Sequence, residues 1–148
     1  MLSSSSVAID APTDLVWDVF TDVENWPEWT ASVTRLSALD APEIAVGRRF
    51  EIKQPRMPKL VWTVTDVEPG ASWTWVQRSP GGQTLARHLV SAVGVSRTLV
   101  RQELEQRGPL GSLVGVLMRG MTQRYLSMEA QGLKAHSEGL WKLRGSNA

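Results

Sequence analysis

Hydrophobic and polar positions along the chain change period three times. Val7 and Ile9 alternate with Ala8 and Asp10, the two-residue period of a short strand. Pro12 then suits a helix start and Asp14 favours the positive end of the helix dipole. Leu15, Val16, Val19 and Phe20, with Trp17, continue as an amphipathic helix of about two turns, and residues 22–29 read as a second short helix broken at Pro27. From residue 32 to 106 alternation returns, giving strands over 33–39, 48–53, 60–67, 72–78, 83–92 and 97–106. Turn signals separate them at Asp40-Ala41-Pro42, Glu68-Pro69-Gly70, Ser79-Pro80-Gly81-Gly82 and around Gly94, so the run is an antiparallel meander. After Gly108-Pro109 the period lengthens. Leu110, Val114, Leu117, Met121, Tyr125 and Met128 mark one face of a long helix reaching about Glu138. Gly111, Gly115, Gly120 and Gly132 weaken that helix in isolation, so packing must hold it. Gly139 reads as its stop and residues 139–148 as a mobile tail after a single domain over 1–138.

This order has a consequence. A twisted antiparallel sheet curls, and its concave face needs a cover that only the last helix is long enough to supply. One helix over about seven strands leaves part of the concavity unfilled, so a pocket between sheet and helix is expected.

Composition narrows the chemistry of such a pocket. The 148 residues contain no Cys and two His, which excludes a disulfide scaffold, a thiolate zinc site and a multi-histidine metal centre; no metal or cofactor is expected. Net charge is +1 and no basic stripe stands out, so nucleic acid is not an expected partner. Residues 1–50 carry 8 acidic and 3 basic side chains, read as a solvated face around the two short helices. No apolar run is long enough to span a membrane, and Met1-Leu2 followed by four serines lacks a signal peptide's pattern, so a cytoplasmic location is the default. Seven of the ten aromatic residues are Trp, which suggests a wide, half-enclosed apolar surface.

The stretch from Ile9 through Asp22, IDAPTDLVWDVFTD, followed by Asn25-Trp26-Pro27-Glu28-Trp29, resembles the opening of the START/Bet v 1-like (SRPBCC) superfamily, in particular its bacterial polyketide cyclase/dehydrase-like branch. Val46-Gly47, the run Trp62 to Gly70 and a final helix ending near Gly132-Leu133-Lys134-Ala135 agree, so the resemblance covers roughly residues 3–138. It implies an α+β helix-grip fold: a seven-stranded antiparallel sheet curled around a long C-terminal helix, with two short helices after strand 1. It also implies a hydrophobic small-molecule ligand, aromatic, polyketide-like or lipid-like. The resemblance is specific for fold and weak for reaction.

Site candidates follow from both sources. The resemblance places Trp62 and Trp75 on the cavity wall, with Trp73 undecided and Trp17 and Trp26 as structural plugs. Trp29 falls near one end of the cavity, Met57 and Pro58 in a proline-stiffened loop at its mouth, and Leu117, Met121 and Tyr125 on the covering helix. Along 84–92 only one of Arg87 and His88 points inward in a regular strand; Leu85 and Leu89, together with the family pattern, favour the Arg87 face and leave His88 at the surface. On the next strand Gln102 is expected inward with Val100 and Leu104. The leading reading is a binder or carrier of a hydrophobic small molecule, acting as a monomer or weak homodimer. The alternative is a polyketide aromatase/cyclase or dehydratase, with Arg87, His88 and Tyr125 as weak catalytic candidates and no acidic residue evident in the cavity. A protein-interaction module is the third class, and no docking motif supports it.

Overall fold

The computed structural model describes residues 1–146. Strand β1 (Leu2–Ile9) leads into helix α1 (Thr13–Thr21) and a 3-10 helix (Val23–Glu28). Strands β2 (Arg35–Ala38), β3 (Arg49–Lys53), β4 (Leu60–Glu68), β5 (Ser72–Ser79), β6 (Gly82–Gly94) and β7 (Arg97–Arg107) follow, then helices α2 (Pro109–Leu117) and α3 (Arg119–Ser146). The strands form one antiparallel sheet in the order β1-β7-β6-β5-β4-β3-β2. This is the helix-grip architecture that the resemblance implies. The first strand begins earlier than the Val7–Ile9 alternation predicts: the serines 3–6 are part of β1 and pair with Arg101 to Leu104 of β7.

Local chemistry sets the element ends. Pro12 caps α1 in an extended conformation, and the Asp14 carboxylate accepts from the Leu15 amide at 2.8 Å, satisfying a free donor of the first turn. The Trp26 indole Nε1 donates to the Phe20 carbonyl at 2.9 Å, which locks the 3-10 helix against α1. Where α2 leaves the sheet, a Cβ on Gly82 would lie 2.6 Å from the Gly111 amide, and one on Gly108 (φ 86°) 2.7 Å from the Gly81 carbonyl. Only glycine lets the β5–β6 turn and the start of α2 approach so closely.

The C-terminal helix departs from expectation in three ways. It is two helices, broken at Met118 (φ −104°, ψ 12°), so the apolar phase of α2 does not carry into α3. The buried stripe of α3 is Leu126, Glu129, Ala130, Leu133 and Ser137, one residue, or about 100° around the helix, out of step with the 117–121–125–128 reading. Gly139 does not stop α3, which runs to Ser146 and packs Leu140 and Trp141 against the core. Exposed glycine is tolerated in a helix held by packing elsewhere. The last two residues of the expected tail, 147–148, lie outside the described residues.

The core lies between the concave sheet face and α1, the 3-10 helix and α3. Phe20, Trp26, Trp73, Trp75 and His88 form one aromatic cluster within it.

Candidate functional site

Between the sheet and α3 an internal cavity of about 320 Å³ remains open. Trp26, Trp62, Trp75, Ile52, Leu60 and Leu126 supply apolar wall, and Met57, Pro58, Val114 and Met121 stand around the mouth. The mouth is the end where β3 passes to β4, β5 to β6, and β7 to α2. The tight approach at that end brings α2 across it.

Trp62 and Trp75 are buried and line the cavity, as expected. Their rings lie 6.0 Å apart between centroids, tilted by 43°. Trp26 is the expected plug but has a second role, and Trp29 does not reach the cavity. Trp26 plugs the fold and also reaches the cavity, while Trp29 is half-buried behind it, packed on Trp26 and pressed against Gly132. Trp73, on the same strand face as Trp75, is fully buried and sits deeper, outside the lining.

Helix residues divide likewise. Met121 and Tyr125 line the cavity. Leu117 does not: it precedes the break at Met118 and is 75% exposed. The Tyr125 hydroxyl donates to the Pro55 carbonyl, and Lys53 Nζ donates to the Gln54 and Met57 carbonyls. The loop holding Met57 and Pro58 is thereby strapped from both sides at the mouth.

The parity of β6 is the reverse of the expected one. His88, with Ala86 and Val90, is buried on the concave face, whereas Leu85, Arg87 and Leu89 belong to the convex face and Leu89 is 37% exposed. Register decides this. The two-residue turn pairs Ser79 with Gly82, which sets Trp73 opposite His88 and Trp75 opposite Ala86. Residues directly opposite share a face, so inward tryptophans bring His88 inward with them. Arg87 touches the cavity margin, but its guanidinium is committed to Glu105 at 3.0 Å, a carboxylate that Arg107 also holds at 2.7 Å. Glu105 is accordingly held below the usual carboxylate range by those two arginines.

His88 is therefore the polar group at the cavity's inner end. Its ring stacks on the Trp73 indole at 3.9 Å and 8°, and Nδ1 lies 3.1 Å from the Trp73 carbonyl oxygen. A carbonyl only accepts, so Nδ1 carries the proton and Nε2 keeps its lone pair. Burial pushes the imidazole pKa down to about 3, against the opposing pull of that hydrogen bond, and His88 is neutral near pH 7.

Opposite His88 in β7 stands Gln102, inward as expected. Gln102 Nε2 donates to Glu129 Oε1 at 3.1 Å, and Ser32 Oγ donates to Glu129 Oε2 at 2.9 Å. Glu129 is buried on α3 and lines the cavity. Burial raises its pKa to about 7, outweighing the two hydrogen bonds that lower it. Sequence reasoning missed this carboxyl, although a signal existed: Glu129 lies three residues after Leu126 and four before Leu133, in phase with the buried stripe. The cavity thus holds a neutral hydrogen-bond acceptor and a carboxyl poised near neutrality, and the glutamine that bonds the carboxyl stands opposite His88 in the sheet. Among the described residues no cluster of three or more His, Asp or Glu side chains has metal-binding geometry.

Solved structures share this fold at low identity. A hypothetical protein from Helicobacter pylori superposes with a TM-score of 0.79 at 15% identity, over 93% of this chain and 88% of its own. A START superfamily protein from Mycobacterium smegmatis gives 0.72 at 17%, over 94% and 98%. The Zhui aromatase/cyclase from Streptomyces gives 0.72 at 16%, over 93% of each chain. No curated protein matches. Residues 2–138 match the family described as "Polyketide cyclase / dehydrase and lipid transport", and the chain belongs to that family.

Proposed function

We propose that the chain binds a flat, mainly apolar small molecule that carries a hydroxyl or N–H donor at its inner end. The observation that carries this is His88: a buried, neutral imidazole on the wall of a tryptophan-lined cavity, whose Nδ1 proton is taken by the Trp73 carbonyl, so that Nε2 is the nitrogen left to accept. A buried acceptor without a donor costs about 1–3 kcal/mol, and a ligand hydroxyl recovers it. Trp26, Trp62 and Trp75 offer aromatic faces on which a planar ring system stacks. Naphthol and naphthalene, compared by quenching of tryptophan fluorescence, test the idea. Naphthol is expected to bind more tightly, with the preference lost in His88→Phe. Absence of quenching by either compound refutes it.

A second reading is favoured by Glu129. With a pKa of about 7 it is present both as acid and as base near neutrality, and Gln102 links it to the strand pair that holds His88. Such a pair suits proton removal at one ligand atom and proton delivery at another, as enolisation and dehydration require. The Zhui protein, described as an aromatase/cyclase, has the same fold. Turnover of a polyketide-like β-hydroxyketone that disappears in Glu129→Gln, with binding retained, separates this reading from carriage alone.

A further inference from the structure

The cavity mouth carries a surface that ligand binding does not explain. Helix α2 has no charged residue, and Leu110, Leu113, Val114, Val116 and Leu117 are all exposed on it; only Gly115 is buried. A helix that leaves five large apolar side chains in water is unusual for a helix of a globular domain. The three segments that frame this end, 54–59, 78–83 and 107–124, contain Arg56, Lys59, Arg78, Arg107, Arg119 and Arg124 and no Asp or Glu. Arg107 pairs with Glu105 and Lys59 reaches Glu51 at 4.0 Å. Among the described residues the other four arginines have no acidic side chain within 4.0 Å. The excess of acid lies away from the mouth, at Asp10, Asp14, Asp18, Asp22, Glu24 and Glu28.

We propose that this end of the molecule docks on a bilayer containing anionic phospholipid, with α2 seated in the headgroup region and the six cations around it. An apolar helix ringed by Arg and Lys matches the two attractions such a surface offers, apolar burial and headgroup charge. A second copy of the chain fits less well, because a two-fold contact through α2 sets the same cations against one another. Val114 belongs both to the exposed face and to the cavity lining, so docking turns the mouth toward the membrane.

Sedimentation of the full chain with vesicles of phosphatidylcholine, with and without phosphatidylglycerol, tests the proposal. Binding is expected with phosphatidylglycerol only, and to weaken as salt is raised. Each cation near an anionic surface strengthens partitioning about fivefold, so Arg119→Gln with Arg124→Gln reduces it about 25-fold. Leu113→Ser with Leu117→Ser abolishes it, while Val95→Ser, in the exposed hairpin at the opposite end, changes nothing. These positions are exposed, and an unchanged near-ultraviolet tryptophan spectrum verifies that each variant is folded. No binding to the anionic vesicles, or equal binding by the folded α2 and arginine variants, overturns the proposal. So does a dimer that the α2 substitutions dissociate in a protein that ignores vesicles. Because no cavity ligand enters the assay, its failure leaves the reading of the cavity separately testable.

Discussion

Replacing Glu129 by Gln keeps the shape of the buried side chain and removes its charge. In the folded protein Glu129 titrates at about 7, against an ordinary value of 4.5. A raised pKa means that the folded state holds the proton more tightly. The associated stability is full below pH 4.5 and is lost as pH rises through about 7. The difference of roughly 2.5 pH units corresponds to about 3 kcal/mol. His88 works in the opposite sense, because its pKa falls from 6.5 to about 3 on folding. Its stability is present above 6.5 and drains away as pH falls toward 3. Between pH 4.5 and 6.5 the two slopes oppose and cancel. Glu129→Gln therefore has two signatures in urea unfolding followed by tryptophan fluorescence across pH. Near pH 8 the variant is more stable than the parent by up to about 3 kcal/mol. Between pH 4.5 and 6.5 its stability climbs by about 1.4 kcal/mol per pH unit, where the parent stays flat with respect to these two groups. Parallel curves for parent and variant from pH 4.5 to 8 refute the assignment of a buried, near-neutral carboxyl at this position.

Gly132→Ala places a Cβ 1.9 Å from the Trp29 carbonyl oxygen; the helix must shift, and urea unfolding is expected to register a loss of about 3 kcal/mol or more. Arg87→Ala breaks a half-exposed ion pair on the convex face. It is expected to cost under about 1 kcal/mol and to leave naphthol affinity unaltered by titration; an affinity loss as large as that of His88→Phe would return Arg87 to the cavity. Tyr125→Phe removes the strap on the Pro55 carbonyl, so stopped-flow quenching should show faster ligand entry and exit with little change in Kd. Unchanged rates would mean that the 54–58 loop does not gate the mouth.

Much of the site was within reach of sequence reasoning. The resemblance places Trp62 and Trp75 on the cavity wall, alternation along β7 turns Gln102 inward, and the order β4-β5-β6-β7 follows from turns of two or three residues. The parity of β6 was also legible. A two-residue turn between Ser79 and Gly82 fixes Trp73 opposite His88, and β7 register then sets His88 opposite Gln102, so Arg87 and Gln102 cannot share a face. Judging β6 by its own apolar residues inverts the result, because Leu85 and Leu89 lie on a convex face that tolerates them.

By itself the sequence determined the strands, their antiparallel run and the need for a helix over a curled sheet, since periodicity and turn chemistry act over a few residues. Only the tertiary structure decided what the cavity contains. The break at Met118 shifts the phase between α2 and α3, which turns Leu117 to water and leaves the stripe of Leu126, Glu129 and Leu133 facing the sheet. Glu129 reaches its pKa near neutrality because Ser32, Gln102 and the aromatic walls, distant in the chain, close around it. Burial and the electrostatics it creates depend on which surfaces meet, and that is settled by packing across the whole domain rather than by any local run of residues.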